Sequence, residues 1–523
     1  MKPTAQAFPN GERLAITRQR LGMRWRRRLK KALALRPPHV PAIESGIAPR
    51  GQSHAKTWRP FGGLSALLLL IAGCATFHPQ PISPQQTAAA FNARSLDDPG
   101  LRAFLETNHV TAPAGGEAWN LKQLTLAAFY YQPALAEARA QLLAAQAAQI
   151  TAGQRPNPSL SVTPAYDSQI PGAPSPWVVP VSVDVPIETA GKRGYRLAQA
   201  RYLAEAARWN LVGTVWQVRS GVRAALLNLY AARQTESLLV QQAAAQSNVV
   251  RLLEGQLAAG NVSSYEVIQA RIALDTARLA EQQAAGQVRQ ARAQLADALG
   301  VPLRALDGVK FSFADFEQFP SELTRPEIRR QALWNRADVR AALAHYAASQ
   351  AALQLEVANQ YPDLHLGPGY AWNSGSAGDN EWSLGLTLTL PILNQNQGPI
   401  AEARANRQLA AAHFLTVQAQ AISQIESALI NYQTARRQVA AADALLKNLR
   451  RRLDSVRAQV RAGEAEPLAL AAAEAEFDAG AQSRLNALIQ AQQALGQLED
   501  AVQSPLTLPL ATLRAAENNT VAK

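Results

Sequence analysis

Twice in this chain a stretch with a two-residue repeat gives way, across a short joint, to one with helical spacing. In "VSVDVPIETAGKRGYRLAQAR" (181–201), Val181, Val183 and Val185 alternate with Ser182 and Asp184; Pro186 and Gly191 interrupt, and Ala- and Arg-rich sequence follows. "LTLTLPILNQNQGPIAEARAN" (386–406) makes the same change. A strand period and a helix period cannot share one element, so each joint marks a boundary between two kinds of structure.

The recurrence belongs to a longer internal repeat. "NPSL" at 157–160 corresponds to "YPDL" at 361–364, "VDVPI" at 183–187 to "LTLPI" at 388–392, "AQAR" at 198–201 to "AEAR" at 401–404, and "QLAAG" at 256–260 to "QVRAG" at 459–463. Two halves result, 119–303 and 325–505, preceded by a linker over 74–118 and followed by a tail over 506–523.

Within each half the extended segments alternate cleanly. Trp177, Val179, Val181, Val183 and Val185 oppose Val178, Pro180, Ser182 and Asp184; Trp382, Leu384, Leu386, Leu388 and Leu390 oppose Ser383, Gly385, Thr387 and Thr389. Each is expected to pair with a preceding strand, "SLSVTPAY" (159–166) or "DLHLGPGYAW" (363–372), in which His365 alternates with Leu364 and Leu366. About ten alternating residues is the length of a transmembrane β-strand. If the leucines face lipid, then Ser182, Asp184, His365, Ser383, Thr387 and Thr389 face a lumen. Trp177, Trp372 and Trp382 stand at strand ends, where an aromatic girdle would put them.

The rest reads as helix. No proline occurs from Ala190 to Ala258, and Leu211, Val215, Val218, Val222, Leu226 and Leu229 recur at spacings of three and four. Ile422, Ile425, Leu429, Tyr432, Val439, Leu446, Leu449, Leu453, Val456 and Val460 repeat the pattern in the second half. This near-heptad spacing favours coiled-coil packing. Gly260 and Gly463 are expected to end these helices, with return helices over 263–300 and 466–503 and shorter helices before each hairpin, over 119–154 and 325–360.

Four strands pose a problem in lipid, where every backbone N–H and C=O must be paired and an open sheet edge is untenable. The chain must pool its strands with copies of itself, and three copies give twelve. Charge does not point elsewhere. The net charge is +13, but residues 1–73 hold 14 Lys and Arg against 2 Asp and Glu, leaving 38 against 37 in the remainder. No basic face for nucleic acid is therefore evident on the folded part.

The basic stretch precedes "LSALLLLIAG", an apolar run too short for a stable bilayer span and placed as in an export signal. "IAGC", Ile71 to Cys74, resembles the lipobox of bacterial lipoproteins; that resemblance implies cleavage before an acylated Cys74. Ala75 stands in place of the aspartate that in such proteins favours retention at the inner membrane. Residues 1–73 are thus read as a basic extension plus signal peptide. Cys74 is the only cysteine, so no internal disulfide forms, and Met1 and Met23 both lie upstream of the cleavage point. The histidines beyond it, His78, His109, His345, His365 and His413, show no metal-ligand spacing, and no nucleophile elbow accompanies them, so neither an enzyme, a metal site nor a cofactor is expected.

The duplicated order of helix, hairpin, long helix, glycine tip and return helix resembles the outer-membrane factor family, the TolC-type efflux channels, over residues 80–505. "DVPIETAGKRGYRLAQAR" and "AAGNVSSYEVIQAR" are similar to its cobalt-zinc-cadmium resistance branch. The resemblance implies a mostly α fold with a small β part. It implies a homotrimer whose twelve-stranded barrel sits in the outer membrane and continues as a periplasmic α-helical barrel. It also implies two partners, a periplasmic adaptor and an inner-membrane pump, usually proton-driven, with divalent metals as cargo.

By the same resemblance the tips Gly260, Asn261, Val262, Ser263 and Ser264, and Gly463, Glu464, Ala465, Glu466 and Pro467, meet the adaptor. Relatives carry D-V-x-x-A beyond the tip glycine. Here Glu266-Val267-Ile268-Gln269-Ala270 matches it loosely, making Glu266 a candidate gate residue, whereas Ala469 and Ala472 depart from the pattern in the second half. The rival readings are a periplasmic coiled-coil adaptor or scaffold lipoprotein without a pore, a soluble helical protein with a basic arm, and, within the family, an exit duct for type I secretion.

Overall fold

A computed structural model describes residues 76–113, 116–166, 177–320, 336–373 and 380–505. Residues 1–75, with the expected signal peptide and Cys74, the start of the helix expected over 325–360 and the tail over 506–523 lie outside the described residues. The chain divides into two compact units, residues 1–81 and 82–523, and the architecture below is that of the second.

Its elements are α1 (Pro84–Asn92), α2 (Pro99–Thr107), α3 (Leu121–Tyr131), α4 (Pro133–Gly153), β1 (Ser159–Val162), β2 (Ala165–Tyr166), β3 (Trp177–Ile187), α5 (Lys192–Ala258), α6 (Ser264–Leu299), α7 (Ala337–Ala358), β4 (Leu364–Asn373), β5 (Glu381–Leu388), α8 (Gln397–Ala462) and α9 (Pro467–Val502). The helix expected over 119–154 is two helices. Pro133 has no N–H to continue α3 and holds Gln132 extended at ψ 120°, so a second helix starts at the proline. Asn120 and Gln123 close a capping box at the start of α3.

The long helices α5 and α8 run 67 and 66 residues, about 100 Å each at 1.5 Å per residue. Both begin after a left-handed residue, Gly191 (φ 75°) or Asn396 (φ 63°), which turns the chain from strand direction into helix. Each packs along its return helix, α5 on α6 and α8 on α9, and α5 also packs on α9, α4 and α7. The largest core joins Leu101, Phe104 and Leu105 of α2, Leu124 and Phe129 of α3, Val222, Leu226 and Leu229 of α5, and Leu295 and Leu299 of α6. A second core joins Ile425, Leu429 and Tyr432 of α8 to Leu495 and Leu498 of α9. No described helix is long and apolar enough to cross a membrane.

The strands form one antiparallel sheet in the order β1-β3-β4-β5, with β2 also on β3. The strand expected over 159–166 is interrupted at Thr163 and Pro164, on the edge of the sheet, where a proline is tolerated. β5 ends at Leu388 because its partner β4 begins at Leu364, just after Pro362 and Asp363. Thr389 and Leu390 therefore lie past the strand, a correction to the expected strand position of Thr389.

Candidate channel lining and helix tips

Register sorts the sheet into two chemically distinct faces. One carries the rows Val162–Val181–Tyr370–Trp382, Val185–Leu366–Leu386 and Ile187–Leu364–Leu388. Every residue in them is apolar or aromatic. Among the described residues little covers this face: Leu386 is 67 % exposed and Trp382 82 %. Trp177, Trp372 and Trp382 lie at the loop ends of their strands; Tyr166 packs edge-on against Trp177, and Tyr370 tilts against Trp382.

The opposite face carries Ser159–Asp184, Ser161–Ser182–Gly369–Ser383 and Pro186–His365–Thr387. Ser182, Asp184, His365, Ser383 and Thr387 thus come together, although they come from three strands. Asp184 Oδ2 lies 2.9 Å from His365 Nδ1 across the diagonal. Gly369 leaves room between its neighbours, since a Cβ there would stand 2.6 Å from Ser383 Oγ. Thr389 lines a cavity of about 710 Å³ at the foot of the sheet with Pro362, Leu390 and Leu393.

The joint between strand and helix is held by charge. Thr189 N–H and Lys192 Nζ both donate to Asp363 Oδ1, at 3.0 and 2.8 Å, and Thr189 Oγ1 donates to the Pro362 carbonyl at 2.7 Å. Arg196 pairs with Glu188 across the same turn. Burial would raise the Asp363 carboxyl, but Lys192 and the Thr189 amide outweigh it and hold the group below the usual carboxylate range.

At the far ends the two tips close alike. Gly260 and Gly463 adopt φ of 76° and 77°, Asn261 N–H donates to the Gln256 carbonyl, and Glu464 N–H to that of Gln459, each at 2.9 Å. This is the left-handed helix stop that glycine adopts without a Cβ penalty. Val262 packs against the small cluster formed by Val250, Leu253 and Val267. Ser263 caps α6, its Oγ accepting from the Glu266 amide while Glu266 Oε2 accepts from Ser263 N–H at 2.7 Å. The Glu266 carboxylate thus serves the cap. Glu466 takes the N-cap position of α9 without a side-chain cap, with Pro467 as the first helical residue. Glu474 and Glu476 pair with Arg457 and Arg452 of α8.

One cluster escapes sequence reading. Arg219, on α5, donates to Glu499 Oε2 of α9 at 3.0 Å, and Arg223 Nε lies 3.6 Å from the same oxygen. Arg223 also donates to the carbonyl and side-chain oxygens of Gln492, both at 2.9 Å. Trp216 and Ser220 donate to Asp500 at 2.8 and 2.6 Å. Arg219, Arg223, Gln492 and Glu499 are buried. The only signal for it in the sequence is a pair of arginines on the stripe Val215, Val222 and Leu226.

Comparisons with known proteins bear on this arrangement. The family model "outer membrane efflux protein" matches residues 128–301 and 328–502. The cobalt-zinc-cadmium resistance protein CzcC of Cupriavidus metallidurans is 27 % identical over 221 residues, 42 % of this chain and 52 % of that protein. The pyoverdine export outer membrane protein OpmQ of Pseudomonas aeruginosa is 30 % identical over 186 residues, 34 % of this chain and 38 % of that protein. The chain thus spans about half or less of the length of these relatives. Among solved structures, the outer membrane protein VceC from Vibrio cholerae has the same fold at TM-score 0.61 and 18 % identity, covering 74 % of this chain and 96 % of that one. With the family model matched over most of its length, the chain belongs to the outer membrane efflux protein family.

Proposed function

We propose that three copies of this chain close their strands into one twelve-stranded outer-membrane barrel and continue inward as a helical tunnel, forming the exit conduit of a tripartite efflux system. The observation that carries this reading is the apolar face, continuous over four strands, on a sheet whose outermost strands β1 and β5 have no further strand beside them among the described residues. Such a sheet is stable in hydrocarbon only once its edges are paired.

In this reading Ser182, Asp184, His365, Ser383 and Thr387 line the lumen at barrel level, with Thr389 at its foot, and solute moves past them passively. Gly260–Ser264 and Gly463–Pro467 engage a periplasmic adaptor, Glu266 stands at the tunnel entrance beside its cap, and an inner-membrane pump, proton-driven, supplies the energy. Cys74 is acylated and tethers the chain to the outer membrane, with most of the mass in the periplasm. The likeness to CzcC supports divalent heavy metals as cargo.

The test is conductance. Purified protein in planar bilayers is expected to give discrete single-channel steps, and a deletion strain to become sensitive to cobalt, zinc or cadmium. Absence of any steps from detergent-extracted trimer refutes the conduit; normal metal tolerance with drug or siderophore sensitivity refutes only the cargo.

A further inference from the structure

The seam between α5 and α9 has a counterpart that one chain cannot make. Residues 220–233, "SGVRAALLNLYAAR", correspond to 423–436, "SQIESALINYQTAR", and 295–300, "LADALG", to 498–503, "LEDAVQ", at one common offset of 203. The ends agree, since Gly300 and Gln503 are both left-handed stops of their helices. The counterpart of α5 on α9 is α8 on α6, yet within the chain α6 packs on α5 and α8 on α9, with no comparable contact between α6 and α8. The faces involved are exposed: Ser423 and Glu426 on α8, Arg289 and Asp297 on α6.

Transferring the contacts residue by residue gives a definite chemistry. Ser220 on Asp500 becomes Ser423 on Asp297, Arg223 on Gln492 becomes Glu426 on Arg289, and the buried Arg219 on Glu499 becomes Ile422 on Ala296. We propose that a second copy of this chain docks on α8 through this seam. Ser423 donates to Asp297 of the partner subunit, and Glu426 pairs with Arg289 of the partner subunit. The inference rests on the homotrimeric reading above and adds the residues that set its register.

Charge complementarity supports the choice of occupant. The long helix presents an arginine to the seam inside the chain and a glutamate to the seam between chains. An α5 docked wrongly on the α6 of a neighbour would bring Arg223 against a second arginine, and like charges facing each other reject a wrong register. At the positions of the buried Arg219–Glu499 pair the second half has the uncharged Ile422 and Ala296, and Ala296 is already buried in its own chain, so the seam between subunits has no buried charge to compensate there.

Full-length protein carrying Ser423→Cys together with Asp297→Cys, extracted in detergent and mildly oxidised, is expected to run as covalent dimer and trimer on a non-reducing gel. Either single variant is expected to lose that ladder, as is the reduced sample. In parallel, Glu426→Arg and Arg289→Glu are each expected to lower the dissociation temperature of the trimer, and the double swap to restore it. A trimeric native mass with no ladder and no effect of either swap overturns the pairing and leaves the conduit standing. A monomeric native mass overturns both.

Discussion

Lys192 Nζ lies 2.8 Å from Asp363 Oδ1, tying the first residue of α5 to the residue that precedes β4, 171 positions away. Lys192 is 7 % exposed, so its ammonium depends on this carboxylate for compensation. The joint where the sequence changes period is thereby fastened to the hairpin of the other half. Asp363→Asn keeps the shape and removes the charge, at a cost of about 1–3 kcal/mol for a charge-assisted hydrogen bond. Thermal unfolding in detergent measures it, and an unchanged midpoint would mean that Lys192 is compensated from elsewhere.

Acid should attack the same joint. The Asp363 carboxyl is held below its ordinary value: burial opposes ionisation, and Lys192 and the Thr189 amide more than offset it. Asp338 behaves alike, with burial outweighed by the Arg336 guanidinium. A depressed carboxyl contributes stability that is complete above the unfolded value, about 3.9, and lost as pH falls through the folded one. The unfolding temperature should therefore hold between about pH 7 and 5 and drop below about pH 4. Asp363→Asn should shrink that drop, and an identical acid profile for the variant would remove Asp363 from the account.

How much of this was legible follows from the range of the forces involved. The strand β3 and the helices α5 and α8 were readable because alternation and three-four spacing are local patterns. Pro133 and Pro164 were visible as residues, yet their effect depends on what surrounds them: one starts a helix and the other interrupts an edge strand. The end of β5 before Thr389 was hidden, because a strand ends where its partner does. Glu266 read as a candidate gate because resemblance aligns the position, while its capping bond to Ser263 is a three-residue pattern that the sequence also carried. The contact of Arg219 with Glu499 spans 280 positions, which no periodicity reports.

That buried cluster makes an unequal prediction for its members. Glu499 faces both Arg219 and Arg223, so Glu499→Leu takes the carboxylate from two buried guanidinium groups, of which Arg223 keeps its bonds to Gln492, whereas Arg219→Met leaves the contact of Arg223 with Glu499 in place. Breaking a buried pair from one side costs about 3–5 kcal/mol. Glu499→Leu should reach the top of that range or prevent folding, and Arg219→Met should cost less. The double variant should not be worse than Glu499→Leu alone, because it removes the Arg219 charge that Glu499→Leu leaves without its carboxylate. Equal losses for the two single variants, measured as folded yield and unfolding temperature, would show that Glu499 does not serve both arginines.

Neighbouring residues on β5 should respond in opposite ways to the same substitution. Leu386 sits in the apolar row with Val185 and Leu366, and Thr387 in the polar row with Pro186 and His365. An arginine at Leu386 would face hydrocarbon, at a cost of about 2–4 kcal/mol near the bilayer midplane, and assembly in the membrane should fall. An arginine at Thr387 would enter water beside Asp184 and His365. Assembly should then survive, while in the proposed trimer three added positive charges shift single-channel ion selectivity toward anions. If Leu386→Arg assembles normally and Thr387→Arg does not, the faces of the sheet are reversed, and the polar row cannot line a pore.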